Sequence, residues 1–268
     1  MELLWDPLFR TQLTVGALIA LSMPLLGAYL HLRGEWLAVL GYSHMAGGGA
    51  TAAAALAWPL YPAALVAATL AALYKGCLER GGNQRYAAMF LIGWTMTMLV
   101  AANSHLGAHT GEALLEGQLY FTGNLHLLGA AAYFALLIPA LAYLSRKIMV
   151  MRFFPDYYAA NQRPAKLYGV LFDLLSVAGI TLAATTVGII PAFALLFLVP
   201  WAAFAVSRGW RRALLVAAAL GLVAYAGAFV AAVLFDQPFG PTFVLVLIAL
   251  TLLRLVRPLA RTSESKGN

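Results

Sequence analysis

The sequence predicts an all-α fold: a polytopic membrane helix bundle of about 8–9 transmembrane helices, N-terminus outside and C-terminus inside. Three observations carry this. The 268 residues are 63% hydrophobic and only 10% charged, with a mean hydropathy of +0.84, which leaves too little charge to cover a soluble domain. Apolar runs approach the roughly 18–20 residues that cross a bilayer as helix. The basic residues gather in the short connections between those runs.

Taken in order, the apolar segments are 11–31, 36–57, 62–75, 86–103, 122–144, 167–188, 191–206, 213–234 and 241–257. Segment 191–206 follows its predecessor almost without a break. The two could form one re-entrant or broken unit, so eight full spans is the alternative to nine. With the N-terminus outside, the inner connections hold Arg33; Lys75, Arg80 and Arg85; Arg146, Lys147, Arg152, Arg163 and Lys166; Arg208, Arg211 and Arg212; and the tail from Arg254. Of the 17 Lys and Arg residues only Arg10 then lies outside, together with the acids Glu2, Asp6, Glu112, Glu116 and Asp236. That asymmetry supports an N-out, C-in chain with an odd number of spans. Residues 1–257 read as a single transmembrane domain, and 258–268 as a disordered cytoplasmic tail.

The same pattern excludes other classes. A net charge of +7 suggests nucleic acid, but cations confined to short loops between spans are explained by membrane topology. The single cysteine, Cys77, permits no internal disulfide and reads as a spectator thiol in a charged loop. The opening MELLWDPLFRTQ lacks a basic n-region and a small-residue cleavage site, so Thr11 onward is expected to be a retained first span. No P-loop and no long polar segment is present, so the chain carries no nucleotide site of its own.

One connection stands apart. Ser145 to Lys166, SRKIMVMRFFPDYYAANQRPAK, is long, basic and aromatic, and contains the turn-forming Pro155–Asp156. DYYAA is expected to form a short helix with Asp156 as its N-cap, its carboxylate on the positive end of the dipole. Two uses fit such a helix on the cytoplasmic face: resting in the lipid interface, or docking into a groove on a soluble partner.

Five pieces, in order, resemble the permease subunits of zinc/manganese-type ABC importers. They are RGEWLAVLGYSHMAGGGA (33–50), ALLEGQLYFTGNL (113–125), RFFPDYYAANQRPAK (152–166), VGIIPAFALLFLVPWAAFAVSRG (187–209) and FDQPFGPTFVLVLIALTLL (235–253). The last two are the most specific, because their Pro and Gly punctuation within apolar sequence is hard to match by accident. The resemblance covers about residues 5–257. It implies a permease in the bacterial inner membrane, paired with an identical copy or a paralogue. It also implies a cytoplasmic ATPase carrying ATP and magnesium, and a periplasmic or lipid-anchored solute-binding protein. The cargo would be a zinc or manganese ion or a metal complex. It further implies that the coupling segment, about 150–166, touches the ATPase through Phe154, Pro155, Asp156, Tyr157 and Tyr158.

Candidate cargo residues follow. His44 falls about nine residues into the second span, roughly 13 Å deep by helical rise. An ionisable group at that depth is a candidate for lining a transport pathway, and neutral imidazole suits zinc. A bond to a nearby carbonyl, Tyr42 or Ser43 is the structural alternative. Asp173 lies roughly 10 Å into the sixth segment, where it either lines the inner half of the pathway or bonds Tyr168 or a neighbouring span. In the outer loop, a helical spacing would stack His105, His109, Glu112 and Glu116 on one face as a surface metal site, with His126 close by. The alternative is a solvated loop that contacts the binding protein. The sequence departs from the family pattern at three points: Leu40 replaces an Asp one turn before His44, Gly117–Gln118 replaces a Gly-Asp pair, and Trp94 replaces a His of the fourth span. Gln118 is retained as a pathway candidate. The small residues of GGGATAAAA (47–55) fit close helix packing, or a pathway wall with accessible backbone.

Overall fold

The computed structural model describes residues 7–77, 82–161 and 164–264; Glu2, Asp6, Arg80 and Arg163 of the charge pattern lie outside these. Eleven α-helices and one 3-10 turn form the described chain. They are α1 (Pro7–Arg33), α2 (Ala38–Ala55), α3 (Leu60–Cys77), α4 (Gly82–Asn103), α5 (His105–Glu116), the 3-10 turn (Leu119–Phe121), α6 (Asn124–Phe153), α7 (Pro155–Ala160), α8 (Ala165–Thr186), α9 (Ile189–Val206), α10 (Trp210–Leu234) and α11 (Phe239–Glu264). Each of the nine expected apolar segments coincides with a helix. By length and composition, six of these are able to cross a membrane: α1, α4, α6, α8, α9 and α10.

Segments 167–188 and 191–206, read as two of the nine, are two helices parted only at Val187–Gly188, where Gly188 takes a φ of +100° that side chains resist. Other expectations change. Cys77 is the last residue of α3 rather than part of a loop. Arg33 and Lys75 close the last turns of α1 and α3 instead of sitting in loops. Backbone helix continues to Glu264, so the portion of the expected 258–268 tail within the described residues is helical; the Leu, Arg and Ala there favour helix.

Among the six span-length helices, α1, α8 and α9 are the most buried. In their apolar windows 67%, 61% and 56% of residues are buried, against 17% for α4 and 28% for α6. The periphery exposes large apolar side chains such as Leu91, Ile92, Leu128 and Leu136, as lipid contact requires. Around α2 the three glycines of GGG each serve a different neighbour. A Cβ on Gly47 would reach Ile189 Cδ1 at 3.4 Å, one on Gly48 the Gly93 carbonyl at 3.2 Å, and one on Gly49 the Ala67 methyl at 2.6 Å. Gly48 and Gly49 therefore set the distance from α2 to α4 and α3, while Gly47 makes an ordinary contact with α9. Across the α2–α4 seam, a methyl on Gly93 would overlap the His44 carbonyl itself.

The two ends of the bundle differ in chemistry. At one end Phe9, Tyr120, Tyr225, Phe229 and Phe239 pack edge to face, and Tyr225 donates to the Gln12 carbonyl at 3.1 Å. At the other end lie Arg33, Glu35, Lys75 and Asp173.

Gly93→Ala is expected to destabilise the solubilised protein by about 1–3 kcal/mol, the usual cost of overpacking where backbone must move. A thermal unfolding scan in detergent checks this against Gly123→Ala, where the added methyl meets open space.

Candidate functional site

The charged end is the most developed polar structure in the bundle. Asp173, on the third turn of α8, is 4% exposed, and Lys75, at the end of α3, is 9% exposed. Lys75 Nζ lies 2.8 and 3.0 Å from the two Asp173 carboxylate oxygens, and 3.0 and 3.2 Å from those of Glu35. Arg33 Nη2 completes the ring, 2.9 Å from Glu35 Oε2 and 3.3 Å from Asp173 Oδ1. Its guanidinium also sits 4.9 Å above the Phe172 ring, while Lys75 lies 5.2 Å from the centre of the Tyr86 ring. Arg85 Nη1 donates to the Lys75 carbonyl at 2.9 Å and so caps the end of α3. Two cations face two anions, so the cluster is formally neutral. Burial alone would push the Glu35 carboxyl up, but Arg33 and Lys75 together hold it below the usual carboxylate range.

Sequence reading singled out Asp173 alone. Arg33 and Lys75 entered the sequence analysis only as topology markers, and Glu35 was not singled out. Asp173 does not bond Tyr168; the partners come from other elements.

His44 is 5% exposed. Its Nδ1 bonds the Leu40 carbonyl at 3.0 Å, and its ring meets Phe90 edge-on at 4.5 Å. With Nδ1 occupied by a carbonyl, Nδ1 carries the proton and Nε2 is the remaining lone pair. The α4 side chain facing His44 is therefore Phe90, not Trp94, which is 46% exposed. The carbonyl bond that sequence reading held as the structural alternative is present.

The outer segment is a helix, as its spacing allowed. Ser104 caps α5 by accepting from the Gly107 amide at 3.2 Å. His105, His109, Glu112 and Glu116 are exposed along it, while Gly107, Gly111 and Leu114 face inward. Among the described residues no three His, Cys, Asp or Glu side chains converge as a metal centre. His109 instead lines a cleft of about 340 Å³ with Gln118, His126, Tyr61 and Thr185. His126 is partly committed there, because its Nδ1 accepts from the Gly123 amide at 3.3 Å. Gln118 is placed by its backbone: its N–H donates to the Thr186 carbonyl at 2.9 Å, and Gly117 before it (φ +88°) lies against Val187 where no side chain would fit.

The connection after α6 holds the short helix α7. It begins at Pro155, the favoured first helical position, so Asp156 lies inside the first turn rather than at the cap. Phe153, Phe154 and Tyr157 are exposed, whereas Tyr158 is buried against Tyr168 with ring centres 6.0 Å apart. These residues, with Arg146, Lys147 and Asp156, line an open groove of about 830 Å³.

The chain belongs to the ABC 3 transport family, whose sequence profile matches residues 6–257. It is thus the membrane-spanning permease of an ABC transporter, a component that works with other chains. No curated protein matches it. Two solved structures share the fold. The complex PsaBC from Streptococcus pneumoniae with a Fab aligns over 94% of this chain and 93% of its own at 17% identity and a TM-score of 0.80. A protein described as a metal-chelate type ABC transporter, in an inward-facing conformation, aligns over 96% and 90% at 14% identity and a TM-score of 0.72.

Lys75→Met is expected to cost about 3–5 kcal/mol, because buried Asp173 loses its nearest cation and keeps only the longer contact to Arg33. Chemical denaturation of the detergent-solubilised permease measures this, and Lys75→Met combined with Asp173→Asn should recover part of the loss.

Proposed function

We propose that this chain is the permease of an inner-membrane importer for a transition metal, zinc or manganese, carried as the ion or within a metal complex. The observation that carries the reading is the family match over nearly the whole chain together with α7, a coupling-type helix with an exposed aromatic face. The shared fold of a transporter described as metal-chelate type supports the metal class.

The charged end of the bundle faces the cytoplasm in this reading, which places α7 there as well. A cytoplasmic ATPase docks on Phe154, Pro155, Asp156 and Tyr157, with Tyr158 anchoring α7 to α8. ATP binding draws the two ATPases together and displaces α7. The permease, paired with an identical copy or a paralogue, then rocks between outward- and inward-open states. A periplasmic or lipid-anchored binding protein delivers cargo at the opposite end, where His105, His109, Glu112 and Glu116 are displayed. The chain makes and breaks no covalent bond.

His44 presents one imidazole nitrogen beside an aromatic ring, with leucine where an acid would complete a ligand set. Zinc takes about four ligands, and a hard divalent ion wants carboxylate oxygens. Cargo that arrives with its own ligands, or passes without tight coordination, fits this pathway better than a naked ion held by the chain.

Two outcomes follow. Phe154→Ala with Tyr157→Ala should abolish co-purification of the partner ATPase while leaving the permease folded; undiminished co-purification would remove α7 from the interface. His44→Ala should lower uptake of radioactive zinc or manganese, offered free and as a chelate, by roughly tenfold, on the order of one lost ligand-grade contact. Unchanged uptake of both would remove His44 from the pathway.

A further inference from the structure

The ionic cluster has a property that simple cohesion does not require: its charges are divided unevenly between two parts of the bundle. Arg33, Glu35 and Lys75 come from α1, the turn after it, and α3. Only Asp173 comes from α8. Without Asp173 the first group carries a net positive charge, and α8 supplies the single acid that inserts between two cations, at 2.8 Å from Lys75 and 3.3 Å from Arg33.

The same helix carries the mechanical input. Tyr168 on α8 receives Tyr158 of α7 at 6.0 Å and Tyr143 of α6 at 6.4 Å, with Lys147 Nζ lying 3.3 Å from the Tyr143 ring centre and 5.2 Å from that of Tyr168. Asp173 follows Tyr168 by five residues, roughly 7.5 Å along one continuous helix. At this level α3 and α8 also meet directly: a Cβ on Gly76 would lie 3.4 Å from Val170 Cγ2, an ordinary van der Waals contact. Arg33 adds one long bond to the Gly169 carbonyl at 3.4 Å.

We propose that the Arg33–Glu35–Lys75–Asp173 cluster is a releasable latch closing one end of the permease, and that α8 makes and breaks it as α7 moves, the Lys75–Asp173 contact being the one that parts. Lys75, Arg33 and Glu35 are then positioning residues for transport, which neither the family match nor the fold assigns. The physics favours two discrete states. Made, the cluster is neutral and desolvated. Parted, it exposes one acid and a net cation to the water that enters the gap. A half-open state would leave unpaired charges without water, so the arrangement is bistable rather than elastic.

This inference rests on α7 being the ATPase contact, and its test reports on the two separately. In a Cys77→Ser background, Gly76→Cys with Val170→Cys places a cross-linkable pair across α3 and α8 beside the latch. The assembled transporter, permease and ATPase purified together, is oxidised nucleotide-free and after trapping with ATP and vanadate. Co-purification of the ATPase establishes the docking reading before any cross-link is scored. Cross-linking is expected to differ at least about fivefold between the two states, the lower range of allosteric coupling. Equal rates in both would show that α3 and α8 do not part, and would overturn the latch. Lys75→Met and Lys75→Arg serve as the second arm, read on the folded, co-purified fraction. Methionine should erase the nucleotide dependence of cross-linking and arginine should retain it. A dependence that survives methionine would leave the charges without a role in gating.

Discussion

Every polar group in an apolar surrounding must find its partner within the chain, and most features of this bundle follow from that constraint. Backbone groups satisfy it by helix formation, which is why each apolar segment of the sequence is a helix. Side chains satisfy it by bonding back along their own helix: Thr51 to the Gly47 carbonyl, Ser176 to Phe172, Thr186 to Leu182 and His44 to Leu40 all do so. Charges have no such local option. Arg33, Glu35, Lys75 and Asp173 are brought together because each is too costly to bury alone.

The same constraint orders the packing. Helices in lipid gain little from apolar area, so close approach of small residues decides which helices touch. The three glycines of α2 each receive a different neighbour, and Gly93 brings α4 up to the His44 carbonyl. His44 is fixed by this seam, which also explains its narrow chemistry: one nitrogen is spent on the helix, one ring face on Phe90, and a leucine stands where a second ligand would be. The transporter class rests on the family match rather than on any one of these side chains.

The short helix α7 connects these themes. Its Tyr157 is exposed, and its buried Tyr158 ties it to Tyr168 at the start of α8. Helix α8 in turn is among the most buried of the span-length helices and carries Asp173 into the cluster. Helix α8 therefore links the surface helix α7 to the charged cluster.

The sequence by itself determined the helices, their apolar character, the segregation of cations and the position of the short helix α7, because these depend on local composition and period. It located all nine apolar segments and placed His105, His109, Glu112 and Glu116 on a helix face. It did not assemble the partners of Asp173, which lie 98 and 138–140 residues away in sequence, nor show that Phe90 rather than Trp94 meets His44. It also put Asp156 at a cap that Pro155 displaces inward. Those outcomes were decided by tertiary structure, since which charges meet and which ring faces an imidazole depend on how rigid helices rotate and approach. In this bundle that is set by glycines acting between helices, and no local pattern records it.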